Sequence, residues 1–439
     1  MLMPMLSEAD PRISTEGTID PLGTYAISDA LAVRLIPGVR ERQQHTRFLT
    51  SMAVSLSICG EFDQELIAAD EISEPWQVFE WHVVEGLVRT AADPKSLRGL
   101  PGQDKAAKAI KDGVPLSAKR YLKTATVFGF HGVYRALSRD VEIECADRLG
   151  DVGYELITTW EKEQGLQGFC GTGQGPGKAI RMRLVDAIRD GLAQGAVARA
   201  SGWGGWTFFR DHLGIYSAGK SEAKVIRDAL MEPKSKLRRE VLGCLTSPVG
   251  AALWKAESEK KYPSERRFHE ALMQVATPEL TELIVAIDQY ELFSRYIQDA
   301  FDDCLLHLSQ HQQRISPTEL AGLSSVRKAS AEVPRMFAEV SDRLSPFGEV
   351  VRFVEQFNSL AENVSNLDWL ERLLEHHTRI QRSKPPTGKA PWLDRFDDGT
   401  CMIRTGYIRD FGGRHDDSYV HAYRTGSLWS FSLDLGLVK

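Results

Sequence analysis

PELTELIVAIDQYELFSRYIQDAFDDCLLHLSQH, residues 278–311, reads as one long helix, and that reading decides the fold class. Leu283, Ile287, Tyr290, Ile297, Phe301, Cys304 and Leu308 recur at alternating spacings of three and four, interrupted only where Ser294 falls on the stripe. Side chains spaced in this way share one face of an α-helix. Pro278 suits a first helical turn, where a missing N–H costs nothing. The run spans about 50 Å as a helix, and its stripe must pack along a partner. Partners lie close by: Ser316 opens a capping box through Glu319, and Ser345 precedes another amphipathic run.

Helical spacing continues upstream. Phe48, Leu49, Met52, Ala53 and Leu56 share one face of HTRFLTSMAVSLSIC, and Phe79, Val83, Val84, Leu87 and Val88 share one face of FEWHVVEGLV. After the turn-rich ADPKSLRGLPGQD comes a unit at 117–163 with a distinct pattern. Ser117 can cap a short helix AKRYLKT. TVFGFHGVYRALSRD then puts Val127, Phe130, Tyr134 and Leu137 on one face, VEIEC alternates, and DRLGDVGYELITTWEKE closes the unit as a helix. Two helices, a wing-like strand and a closing helix make a winged-helix pattern, in which Lys119, Arg120, Lys123, His131 and Arg135 face solvent or phosphate.

GTGQGPGKA at 171–179 imitates a phosphate loop without being one. Five positions before Gly177 stands Thr172, the hydroxyl position is Ala179, and the preceding segment has helical rather than strand spacing. The glycines and Pro176 read as a flexible connector between two packed pieces. Trp203, Trp206, Phe208 and Phe209 read as core. Past Pro385 and Pro386, CMIRTGYIRDF and SYVHAYRTGSLWSF carry short β-prone runs.

The chain of 439 residues has a formal charge of −6, so overall charge does not mark it for nucleic acid. Local basic faces still can, because phosphate contacts depend on clustered cations. The six cysteines form no C-x-x-C pair, which points to packed thiols rather than a zinc knuckle. No apolar run reaches membrane-spanning length, and MLMPMLSEADPR meets Glu8, Asp10 and Pro11 before any signal-like stretch; a cytoplasmic protein is expected.

For chemistry, Asp303, His307 and His311 stand four apart on the long helix, a spacing that can present three metal ligands. No Glu-x-x-His accompanies them, and they read as the solvated edge of the stripe, so no metal and no cofactor is expected. His376 and His377 read as packing histidines. The densest cationic set lies in the tail: Arg379, Arg382, Lys384, Lys389, Arg404 and Arg409, with Arg414, His415, His421 and Arg424, interleaved with Trp392, Tyr407, Tyr419 and Tyr423. Cations attract phosphate and aromatic faces stack on bases, so this mixture suits nucleic acid. Arg404 and Arg409 are expected to fold back toward Arg379 and Arg382.

Near the start, Asp20, Leu22, Gly23, Pro37, Gly38, Arg40, Arg42, Arg47 and Phe48 carry a D-x-L-G segment, a P-G turn and an R-x-R-x-x-x-x-R-F run. This opening resembles a group of uncharacterised helical bacterial proteins from phage-defence gene neighbourhoods. The resemblance implies an accessory or defence protein and assigns no catalytic residue.

The fold expected is mainly α: a multi-domain helical protein with a central winged-helix-like module and a small α+β C-terminal tail. Breaks in pattern divide it at 1–100, 101–170, 171–365 and 366–439. The function expected is a nucleic-acid-binding or scaffolding subunit of a bacterial antiviral defence complex, with DNA preferred to RNA, protein partners and no membrane. The alternatives are a phosphodiester-acting enzyme with its site between the long helix and the C-terminal region, and a purely structural interaction protein.

Overall fold

The stripe from Leu283 to Leu308 forms one unbroken helix, Pro278–His311, in the computed structural model of the protein. Described are residues 20–438, apart from 64, 172, 217, 233–234, 262–263, 312 and 386. The sequence features at Glu8, Asp10, Pro11, Thr172 and Pro386 lie outside the described residues. The helices in chain order begin with α1 (Tyr25–Leu35), α2 (Arg47–Cys59), α3 (Pro75–Thr90), α4 (Gln103–Lys111), α5 (Ala125–Phe128), α6 (Phe130–Asp140) and α7 (Asp151–Glu163). Next come α8 (Pro176–Gln194), α9 (Trp206–Leu213), α10 (Lys220–Leu230), α11 (Lys236–Thr246), α12 (Pro248–Ser258) and α13 (Glu265–Met273). The last are α14 (Pro278–His311), α15 (Pro317–Ala321), α16 (Ser324–Leu344), α17 (Val350–Phe357), α18 (Asn366–Ser383) and α19 (Thr425–Asp434). Short 3₁₀ turns and two small antiparallel hairpins, β1 (Glu144–Cys145) with β2 (Arg148–Leu149) and β3 (Leu393–Arg395) with β4 (Cys401–Ile403), accompany the helices. No described helix is long and apolar enough to cross a membrane.

The chain forms two compact units. Unit 1 is Glu257–Ala422 with the described residues up to Leu31; unit 2 is Ala32–Ala256 with Tyr423–Lys439. Both are discontinuous in sequence, a property that breaks in local pattern do not register.

In unit 1, α14 buries its stripe against α16. Phe293, Phe337, Phe353 and Phe357 from α14, α16 and α17 meet ring to ring, with centroids 4.9–6.5 Å apart. Such a cluster contributes both buried area and aromatic contact. On α18, His376 donates from Nε2 to the Leu22 carbonyl (2.7 Å), and His377 donates from Nδ1 to the Pro21 carbonyl (2.9 Å). Both rings are buried, and they hold the D-x-L-G segment in place. Asp20 caps α1 by accepting from the Thr24 and Tyr25 amides, each at 3.0 Å. Gly23 has φ +74°, and a Cβ there would meet the Gln356 side chain, so glycine is required.

In unit 2, α2 and α3 form the centre, and Phe48 stacks on Phe130 at 5.6 Å. Several local expectations at 117–163 change. Residues 118–124 form turns rather than a helix, because Tyr121 is drawn inward to donate to Glu80 (2.8 Å) and Ser117 bridges to Ala196. The next helix breaks at Gly129 into α5 and α6. There Glu80 approaches so closely that a Cβ on Gly129 would lie 1.9 Å from its Oε1, and the carboxylate accepts from the His131 amide at 2.9 Å. The break turns Val127 outward, whereas Phe130, Tyr134 and Leu137 are buried. VEIEC supplies only one arm of a two-residue hairpin, which turns through Ala146 and Asp147 with φ of 50° and 61°. Positive φ at both positions matches the twist of a tight hairpin.

The glycine-rich segment lies wholly inside unit 2, so it does not connect two packed pieces. A Cβ on Gly177 would lie 1.8 Å from the Leu166 carbonyl oxygen, and Glu161 accepts from the Gly168 (2.8 Å) and Cys170 (2.7 Å) amides. Glu161 thus places a carboxylate at the entry to the loop. The aromatic cluster is core as expected, with Trp206, Phe208 and Phe209 buried. At the end of the chain, SYVHAYRTGSLWSF forms a loop and α19 rather than strands, since Leu428, Phe431 and Ser432 bury one helical face.

Candidate functional site

The polar face of α14 explains itself once the chain returns to it. Glu291, Arg295, Asp299 and Asp302 recur at spacings of four, four and three, so they line one side of the helix. The loop 409–421 runs along this side, its numbers rising as those of α14 fall. Ser309 Oγ accepts from the Arg409 amide at 3.1 Å, and Asp303 accepts from the Gly413 amide at 2.8 Å. Asp299 accepts from the Arg414 and His415 amides at 3.0 and 3.1 Å, and Glu291 accepts from those of Val420 and His421. Arg295 supplies the opposite polarity, donating to the Ser418 and Tyr419 carbonyls at 3.0 Å. Loop amides carry no charge of their own, so buried carboxylates can satisfy them in place of a sheet or helix. Gly412 and Gly413 make the approach possible: a Cβ on either would fall within 3.0 Å of Asp303 or Asp299 atoms.

Between this loop and the start of α1 lies a cleft of 360 Å³. Its walls carry Arg295, Arg409 and Arg414 against the carboxylates of Asp20 and Asp302. Arg409 pairs with Asp302 at 2.7 Å, and burial pushes the Asp302 carboxyl above its ordinary range despite that partner. The same guanidinium sits between two rings, 5.5 Å from the Trp392 centroid and 4.7 Å from that of Phe411. Trp392 in turn stacks on Tyr407 at 4.8 Å, and Phe411 is exposed. The Nε–H of Arg409 is buried and has no hydrogen-bond partner among the described residues.

On another wall, His421 is held by Glu291 (Nδ1 to Oε1, 2.7 Å), while its Nε2 lies 2.9 Å from the Thr24 hydroxyl. A carboxylate oxygen only accepts, so the proton of a neutral ring lies on Nδ1 and Nε2 can receive the hydroxyl proton.

The residues marked in the sequence disperse. Arg409 reaches this cleft, but Arg404 pairs with Asp394 at 2.7 Å. Arg395, rather than Arg404 or Arg409, returns to α18, pairing with Glu371, because the β3–β4 hairpin turns its arm that way. Arg379 donates to the Gln356 carbonyl at 2.6 Å. Lys384 donates to the Asp20 carbonyl at 2.7 Å, and burial lowers its ammonium below the usual range. Arg382 is exposed and Lys389 half-buried. Tyr419 is buried, and so is Tyr423, which belongs to unit 2.

In unit 2, Lys119, Arg120 and Lys123 are exposed on the turns before α5. His131 does not face solvent: it is buried under Trp76, with ring centroids 4.3 Å apart. Burial, with Arg135 and Arg139 beside it, pushes its pKa down to about 3, leaving a neutral ring. Arg135 pairs with Glu144 at 3.0 Å and also with Asp147. Both residues line a groove of 1370 Å³ that carries six carboxylates against three guanidiniums.

Sequence reasoning missed Thr24, Glu291, Arg295, Asp299 and Phe411. The legible signal was the charged line at 291, 295, 299 and 302 facing away from the apolar stripe, together with Gly412 and Gly413. No family model, no curated protein and no solved structure matches the chain.

Proposed function

We propose that the protein binds nucleic acid through the unit 1 cleft, with phosphate on Arg409 and Arg414 and a base against Phe411. The observation that carries this reading is the guanidinium of Arg409, flanked by Trp392 and Phe411 with its buried Nε–H unpartnered. A buried donor left unsatisfied costs about 1–3 kcal/mol, which an anionic ligand relieves. Aromatic and guanidinium faces accept any base by stacking, and an exposed ring at a cleft mouth favours a single strand over a closed duplex. The same proposal includes the setting that the N-terminal resemblance implies, a subunit of a bacterial defence complex. The helix–hairpin–helix at 125–163 contributes to a groove whose acidic surplus repels phosphate.

The test is fluorescence anisotropy of labelled single-stranded and duplex DNA and RNA across a salt series. Affinity for the single strand should fall steeply with salt. Absence of binding by the wild-type chain overturns the reading.

A second reading, phosphodiester cleavage at the same cleft, rests on the Glu291–His421–Thr24 chain. There His421 would take a proton from a hydroxyl or water attacking phosphorus, the leaving oxygen departing from the opposite side. Cleavage of the bound strand that disappears in His421→Asn while binding persists would support it. Binding without turnover in the wild type removes it.

A further inference from the structure

We infer that His307, His311 and Glu319 form a binding site for a divalent transition-metal cation of the zinc class. The three residues offer one ligand atom each, all within 4.8 Å of one another. His307 and His311 are one helical turn apart on α14, with ring centroids 4.3 Å apart, so both imidazoles face the same side. His311 Nδ1 lies 2.9 Å from the His307 carbonyl oxygen. A carbonyl oxygen only accepts, so Nδ1 carries the proton and Nε2 presents a lone pair. This is the tautomer a metal requires, fixed by the kind of outer hydrogen bond that orients ligating histidines.

Glu319 supplies the anionic ligand. Ser316 caps α15 by accepting from the Glu319 amide at 3.3 Å, but the Glu319 carboxylate goes to His307 Nε2 at 2.7 Å. A cation about 2.0–2.1 Å from each atom replaces the proton between them, and the half-exposed Glu319 side chain can move to admit it. Two imidazoles and a carboxylate favour Zn²⁺, Co²⁺ or Ni²⁺ over Mg²⁺ and Ca²⁺, and three protein ligands leave a fourth position to water. Asp303, which sequence spacing groups with the histidines, is already taken by the Gly413 amide (2.8 Å) and by His415 (3.0 Å). This site stands independently of nucleic-acid binding.

The test uses the full chain stripped of metal by a chelator, then titrated with Zn²⁺ by equilibrium dialysis and with Co²⁺ by visible absorption. One equivalent of Zn²⁺ per chain is expected. Affinity should fall on the order of 100-fold in His311→Ala and at least about 10-fold in the isosteric Glu319→Gln, while His415→Ala binds as the wild type does. Circular dichroism checks that each variant is folded. No bound Zn²⁺ in the wild type, unchanged affinity in His311→Ala and Glu319→Gln, or loss confined to His415→Ala would overturn the assignment.

Discussion

The unit 1 cleft and the unit 2 groove are built from the same residue types, arginine, histidine, carboxylate and an aromatic ring, yet their charge balances differ. In unit 2, Glu144 holds Arg135 and Arg139, at 3.0 and 2.9 Å, and further carboxylates face the opening. The cations are neutralised and acid remains. In unit 1, three guanidiniums face two carboxylates in the cleft, and Arg295, Arg409 and Arg414 each pair with an aspartate. The ratio of guanidiniums to carboxylates, three to two in the cleft and three to six in the groove, separates the two sites.

The largest effect tests the loop's attachment. Asp299→Ala leaves the Arg414 and His415 amides without their acceptor and Arg295 without its carboxylate partner, and should cost roughly 3–5 kcal/mol, read from urea denaturation. A loss below 1 kcal/mol would mean that the loop is not held by this carboxylate.

Acid should separate the units next. His376 and His377 are buried and pushed down to about 4, against about 6.5 when unfolded. Their contribution is fully present above pH 6.5 and is lost as pH falls through 4, up to roughly 3 kcal/mol for each ring. Glu80 in unit 2 has the opposite sign: burial raises it to about 7, so its contribution is present below about pH 4.5 and is lost as pH rises through 7. Hydrogen exchange should show α18 losing protection as pH falls from about 6.5 to about 4. Glu80→Gln should stabilise the protein at pH 8 and have little effect at pH 5.

For binding, Phe411→Ala and Arg414→Glu should each weaken single-strand affinity about tenfold, since one stacked base contributes about 1–3 kcal/mol. Arg135→Glu, in the acidic groove, should change it less than twofold. Equal losses from both sites in anisotropy titrations would erase the contrast drawn between them. Smallest of all is Lys178→Ala, expected to shift stability by less than about 0.5 kcal/mol and to leave ATP without a binding signal, because Glu161 already takes the neighbouring amides.

Much of the helical framework was legible before the structure. The stripe of α14, the stop of α18 before Pro385 and the buried aromatic run at 206–209 follow from spacing and composition alone. Errors arose where one long-range contact outweighed a local preference. Glu80, about fifty residues away, enters at Gly129 and splits α5 from α6, and Tyr121 abandons a helix to reach the same carboxylate.

The candidate sites divide along the same line. The periodicity of residues 278–311 by itself determined that a helix would form, which face it would bury, and that Glu291, Arg295, Asp299, Asp302, His307 and His311 would stay off that face. Those properties depend on the 3.6-residue turn, which is local. Only the tertiary structure decided what meets the polar side: the 409–421 loop along Glu291 to Asp303, and Glu319 beside His307 and His311. Such pairings depend on where distant chain segments return, and the energy that selects them, burial with every polar group satisfied, belongs to the assembled core rather than to any one stretch.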